Sequence, residues 1–311
     1  VAPFDLDGDG WLDLVIANDT VQNFVFHNLH DGTFAEIGSQ AGIAFGTDGS
    51  ARGAMGIDIA RPRNNDAVAV LIGNFANEPT SFFVSQGDPK ELLYADESVS
   101  NGLGPQTRLE LKFGVFFLDY DLDGRLDVLA ANGHLEEDIN QVVPSQHYRQ
   151  PPQLFWNAGP EPRDEFVRVP KSVVGDEFSQ PIVGRGAAYA DIDGDGDLDV
   201  LITESGGSPR LFRNDQQLGH HWLRVKLKGA GSNPDAIGAT IRLHAGDSVQ
   251  ERVVSPTHGY LSQSELPVTF GLGAATQVTK LEILWPSGQK QEIAEPKLDQ
   301  LLTVDEPSAA N

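Results

Sequence analysis

The chain has 311 residues, enough for about two domains with a well-buried core, and carries 45 acids against 22 lysines and arginines, a net charge of −23. That charge repels phosphate backbones and argues against nucleic-acid binding, and no apolar run approaches the roughly 18 residues of a membrane helix. With no cysteine there is no disulfide framework, thiol nucleophile or cysteine-based zinc site, while 33 glycines and 19 prolines suit a turn-dense β protein.

The first element is the acidic stretch DLDGDGWLD at residues 5–13, whose pattern returns as DYDLDGRLD at 119–127 and DIDGDGDLD at 191–199. Acids stand at positions one, three, five and nine, and glycine at six. Four carboxylates in nine residues repel one another unless a multivalent cation sits among them, and hard oxygens supplied from alternate residues suit Ca²⁺. The expected ligands are Asp5, Asp7, Asp9 and Asp13 with the Trp11 carbonyl in the first loop. In the second they are Asp119, Asp121, Asp123 and Asp127 with the Arg125 carbonyl, and in the third Asp191, Asp193, Asp195 and Asp199 with the Asp197 carbonyl. That makes about three Ca²⁺ sites. An EF-hand would need a glutamate at position twelve and a helix on each side, but Ile16, Ala130 and Ile202 stand there. The runs that follow, LVIAN, VLAAN and VLITE, are short and rich in β-branched residues, so the loops are expected between strands.

After the first loop come VFHN, ending at Asn28, then TFAEI, then RGAMGI, which is expected to finish the first unit. RGAMGI leads into an eroded copy, GIDIARPRNND, with Asp58 and Asp66 at positions one and nine but Ala60 and Pro62 at three and five; this loop is expected to hold no metal. Asn28 and Asn214 each stand 23 residues after the start of a repeat, and Arg52, Phe113 and Arg185 each stand six before one. Units of about four short strands recurring at this period are the mark of a β-propeller. Arg52 and Arg185 are candidates to hold an anion in its channel, against the simpler role of satisfying carbonyls. Residues 138–153, which include PSQHYRQ, read as a long surface loop inserted in the third repeat.

From His220 the texture changes. WLRVKLKG, AIGATIRLHAG, QERVVS, LPVTFGLG, KLEILWPSG, KQEIAE and QLLTVDE are period-two segments separated by turns, expected to form a small β-sandwich with Trp222 and Trp285 in its core. The charge divides in the same place: residues 220–311 hold 10 acids and 8 bases, residues 1–219 hold 35 and 14. The expected organisation is therefore all-β, with a β-propeller, whole or partial, of four-stranded blades over 1–219, a sandwich over 220–306 and a tail at 307–311. No histidine spacing suggests a metalloenzyme, and no nucleophile signature surrounds Ser255, Ser262 or Ser264 near His258. The conspicuous carboxylate pairs belong to the acidic loops, where a ligand must stay ionised and donates protons poorly.

The repeats resemble the FG-GAP or VCBS repeats of Ca²⁺-binding propellers. HHWLRVKLKG, SNPDAIGATIRL, GYLSQSELPVTFGLG and LEILWPSGQKQEI resemble the ASPIC/UnbV domain. In this order the two resemble the cartilage acidic protein family. The resemblance implies an extracellular Ca²⁺-binding propeller with a β-rich tail domain, and the expected function is that of a secreted or periplasmic, non-catalytic adhesion or interaction scaffold for a protein or glycan ligand. The alternative is a polysaccharide-active enzyme, or the glycan-binding part of one. Two departures stand out. Such propellers usually close with about seven blades, whereas three full repeats and part of a fourth stand here, so either N-terminal blades are missing or the circle is small; with Val1 in place of methionine, the start reads as a cut end. The cysteine-rich modules of animal members are absent, which points to a bacterial relative.

Overall fold

Each acidic stretch closes a β-hairpin. In the computed structural model, which describes residues 1–160 and 164–308, the strand before the loop pairs antiparallel with the strand after it. Phe4 lies opposite Asp13, Leu118 opposite Asp127 and Ala190 opposite Asp199. Further strands extend each hairpin into a meander. The first sheet is β1 (Ala2–Phe4), β2 (Asp13–Ile16), β3 (Phe24–Asn28) and β4 (Phe34–Glu36). The second is β5 (Ala54–Ala60), β6 (Ala69–Asn74), β7 (Ser81–Ser85) and β8 (Tyr94–Asp96), and the third β9 (Lys112–Leu118), β10 (Asp127–Asn132), β11 (Gln153–Asn157) and β12 (Phe166–Arg168). The fourth, β13 (Gly184–Ala190), β14 (Asp199–Glu204) and β15 (Arg210–Phe212), has three strands among the described residues. RGAMGI does not finish the first unit as expected but supplies β5, the first strand of the second. It pairs across the short eroded loop rather than across the longer connection from β4.

Strand alternation stacks these sheets as blades. In β6, Val70 and Ile72 face Val15 and Val25 of the first sheet, while Ala69 and Leu71 face Val115 and Val128 of the third. In β9, Val115 and Phe117 turn to the second sheet, and Phe116 and Leu118 to Ala187 and Val200 of the fourth. The two inner blades are thus covered on both faces, and every residue of β6 and β10 is buried, whereas β2 alternates buried and half-buried positions. The first strands approach most closely. A Cβ on Gly56 would lie 2.0 Å from the Phe113 carbonyl oxygen, and one on Gly114 would lie 2.9 Å from that of Arg185, so these places admit only glycine. The arrangement is a partial β-propeller.

The C-terminal part contributes β16 (His221–Lys228), β17 (Thr240–Ala245), β18 (Ser248–Val253), β19 (Thr257–His258), β20 (Ser262–Gln263), β21 (Val268–Gly273), β22 (Lys280–Leu284), β23 (Lys290–Ala294) and β24 (Leu301–Asp305). Sheets of order β21-β16-β24 and β18-β17-β22-β23 close on a core of Leu223, Val225, Phe270, Ile241, Leu243 and Ile283, with Trp285 fully buried. Trp222, expected in that core, lies outside it. One residue before Leu223, it falls on the other face of β16, half-buried against Gly196 of the third acidic loop.

The hairpin β19–β20 leaves the sandwich and lies along the first strands of three successive blades, where a propeller has its central channel. Gly259 exchanges two backbone hydrogen bonds with Ile57, Tyr260 packs edge-on against Phe113 at 4.9 Å, and Ser264 Oγ accepts the Tyr189 amide at 3.1 Å. The insertion at 138–153 is only partly the surface loop expected. Gln146, Gln150 and Gln153 are buried, and Gln150 accepts the Leu111 amide at 2.8 Å through Oε1 while exchanging backbone hydrogen bonds with Ile182. A long amide side chain is buried here because it satisfies a backbone donor that the blade ends leave free. Residues 309–311 of the expected tail lie outside the described residues.

Candidate metal centres

The three acidic loops share one internal scaffold. The position-one carboxylate caps the turn: Asp5 accepts the amides of Gly8 at 2.8 Å and Gly10 at 2.9 Å, and Asp191 those of Gly194 at 2.7 Å and Gly196 at 3.1 Å. The glycine at position six has φ of 91°, 94° and 100° at Gly10, Gly124 and Gly196, a left-handed backbone that a side chain would strain. Carboxylates at position five accept the amide two residues on, which occupies the N–H of Trp11, Arg125 and Asp197. The position-nine carboxylate binds inward. Asp13, Asp127 and Asp199 each accept the position-two amide with one oxygen, and with the other the backbone amide of an asparagine at the end of the blade's third strand, Asn28, Asn157 or Asn214. The 23-residue spacing of Asn28 and Asn214 was visible in the sequence, but the pairing of these asparagines to position nine was not.

The expected ligands converge unequally. Side-chain oxygens of Asp5, Asp7 and Asp9 lie within 4.8 Å of one another, as do those of Asp119, Asp121 and Asp127, and of Asp191, Asp193 and Asp199. Asp13 stands apart from the first group, tied to Leu6, Asn28 and His27, whose Nδ1 is 2.9 Å away. Asp123 is ion-paired with Arg125. Asp195 converges instead with Asp193 and Asp215, an acid that the nine-residue pattern does not reach. Asp197 turns its side chain to Gln216 at 2.8 Å, and burial pushes its carboxyl up to about 6. His30 Nε2 lies 2.5 Å from Asp9, and Arg224 Nη1 lies 2.6 Å from Asp191.

The second loop tests most sharply whether these residues suit a cation. Burial, then the charges of Asp123 and Asp121, push the Asp119 carboxyl up to about 8, and burial holds Asp127 well above the ordinary range and raises Asp121. Asp119 Oδ1 is buried without a hydrogen-bond partner. Clustered carboxylates shifted upward together, one oxygen unpartnered and every donor a hard oxygen, fit a hard metal cation. In the eroded loop, Asp58 belongs to no such group among the described residues. Its carboxylate lies 2.9 Å from His258 Nδ1 and accepts the Phe117 amide at 2.8 Å. Arg185 takes the simpler of its two expected roles, donating to the carbonyls of Gly133, Gly184 and His134 over the Phe113 ring, while Arg52 pairs with Asp48.

Fold and loops together define a class: propeller repeats whose hairpins carry acidic, metal-type loops, joined to a β-rich tail. Residues 5–61 and 119–202 match the FG-GAP-like repeat family, and residues 229–311 match the ASPIC and UnbV family. The chain thus carries FG-GAP-like repeats with an ASPIC and UnbV domain, and it is homologous to cartilage acidic protein 1. The cartilage acidic protein 1 of Xenopus tropicalis is 27% identical over 303 residues, which is 95% of this chain and 43% of that protein. The protein of that name from Homo sapiens is 24% identical over 299 residues, 94% of this chain and 42% of its own length. The chain therefore spans about two fifths of the relatives it matches. Among solved structures, a Bombyx mori GH32 beta-fructofuranosidase is similar at a TM-score of 0.35 and 10% identity, covering 92% of this chain and 74% of that one. The exo-beta-1,3-galactanase of Phanerochaete chrysosporium reaches a TM-score of 0.26 at 15% identity, covering 96% and 66%. At such scores neither carries an argument about activity.

Proposed function

We propose that this chain is a calcium-binding propeller that works outside the cytoplasm as a non-catalytic scaffold for a protein or glycan ligand. Ca²⁺ would be held by Asp5, Asp7 and Asp9, by Asp119, Asp121 and Asp127, and by Asp191, Asp193 and Asp199, with loop carbonyls completing the shell. The observation that carries this reading is the Oδ1 of buried Asp119, which meets no protein donor and which a bound cation would satisfy while leaving the carboxylate ionised. The relatives are named for cartilage, an extracellular tissue, and such loops fill most readily where Ca²⁺ is abundant.

The bound ion would neutralise each cluster and order its turn, so its removal costs stability. Chelation with EDTA should lower Tm by about 10 °C or more, since three sites that bind only the folded chain each contribute a few kcal/mol. Ca²⁺ should restore the loss and Mg²⁺ should do so poorly, because Mg²⁺ resists all-protein coordination. Unchanged melting defeats the metal reading. A glycan screen divides scaffold from enzyme: binding without product supports the scaffold, and turnover replaces it.

A further inference from the structure

We propose that the C-terminal sandwich is a lid on the second acidic loop, so that an ion held by Asp119, Asp121 and Asp127 is captive and leaves only when the lid lifts. This rests on the reading that the loops bind Ca²⁺.

The three centres differ in what covers them. Asp9, Asp193 and Asp195 are exposed, and Asp5 and Asp9 line an open cleft of about 490 Å³ that they share with Arg61, Arg242 and Lys290. In contrast, Asp119, Asp121 and Asp127 are only 1%, 7% and 0% exposed. The covering atoms come from the tail. The Gly271 amide in β21 donates to Asp119 Oδ2 at 3.1 Å, and the Gly273 amide to the Leu122 carbonyl at 2.8 Å. Arg252 Nη2 donates to the Gly124 carbonyl at 3.1 Å, and His220 Nδ1 lies 2.6 Å from the Asp121 carbonyl oxygen. The fit leaves no solvent layer, for a Cβ on Gly271 would lie 2.2 Å from Asp119 Oδ2 and 2.4 Å from the Leu122 carbonyl carbon.

One carboxylate therefore serves both partners. Asp119 turns Oδ2 to the lid and leaves Oδ1 for the ion, so ion and lid stabilise each other's binding by the same factor. With the ion gone, Asp119 Oδ1 is left buried without a partner, and that cost works against the docked lid. The first loop has no such cover, and its ion exchanges directly with solvent.

The test loads the full chain with Ca²⁺, removes free ion and mixes it with excess fluorescent chelator. Three ions per chain should leave in two classes, one at least about 100-fold more slowly because its escape waits on a sub-global opening. Asp119→Asn should abolish the slow class alone. The double variant His258→Gln, Tyr260→Ala alters the axial hairpin and touches none of the proposed ligands; it should speed the slow class about tenfold or more with the total still at three. Without any substitution, the amides of Gly271 and Gly273 should exchange hydrogen at the rate of slow ion release. Three ions leaving in a single fast phase, or Gly271 exchanging freely while the slow ion stays, would overturn the lid and leave the calcium reading standing. No bound ion would end both.

Discussion

Asn157 shows at the scale of one residue how an acidic loop is held in shape by a side chain that reaches it from another strand. Fully buried, it donates its side-chain amide to the carbonyls of Pro62 at 3.1 Å and Leu126 at 3.0 Å and accepts the Gly159 amide at 3.0 Å, while its backbone amide anchors Asp127. It thereby ties the second acidic loop to the eroded loop of the preceding blade. Asn157→Ala strands two carbonyls and an amide in the interior and should cost about 3 kcal/mol in a urea titration, whereas Asn28→Ala, at a more open site, should cost about 1 kcal/mol or less. Equal losses at the two positions would contradict this assignment. The sequence displayed Asn28 by its spacing, but could not rank the two positions, because burial depends on which blades have neighbours on both sides.

At the scale of the element, the hairpin β19–β20 is one of the links between the two parts of the chain, and its hold depends on protonation. His258 Nδ1 faces Asp58 at 2.9 Å and its Nε2 faces the Ser255 carbonyl at 3.0 Å and the Tyr189 hydroxyl at 3.1 Å, so both ring nitrogens have acceptors and the imidazolium is the form that satisfies them. Burial pulls the ring's affinity for its proton down, but the Asp58 charge and these hydrogen bonds overcome it and hold the group above its ordinary value. A raised folded value means that this stabilisation is complete below the ordinary histidine range and fades as pH rises through the raised value. Melting should therefore weaken with increasing pH in that window, and His258→Gln should remove this dependence and cost about 3 kcal/mol at the acidic end, where a buried pair is broken. A variant with an unchanged pH profile would show that His258 is neutral. The hairpin also marks where sequence reading stopped. Strands, acidic loops and the change of texture at His220 were legible because each follows a local period. The replacement of lost acids at Ala60 and Pro62 by a histidine 200 residues away from Asp58 is a tertiary event with no local signal, and so is the turning of Trp222 onto Gly196.

The molecule as a whole is an arc with two apolar ends. On the outward face of the first blade, Pro3, Leu14 and Phe26 stand in one cross-strand row beside the pair Ile16 and Phe24. The fourth blade presents Ala188, Leu201 and Leu211 in the same manner, with the two leucines 41% and 55% exposed. These rows have the chemistry that the inner blades bury against each other. The chain should accordingly associate with increasing concentration in sedimentation velocity, and Leu14→Glu with Leu211→Lys should return it to monomer; a monomer at every concentration would refute this. The axial hairpin has a last consequence, for manufacture and descent. The ribosome makes the blades before the segment that occupies their centre, so the earliest parts wait for the latest to be locked. Recombination that moved either module to a new neighbour would strip Asp58 of its counter-ion and bare the second loop, and the two should pass between genomes as one indivisible cassette.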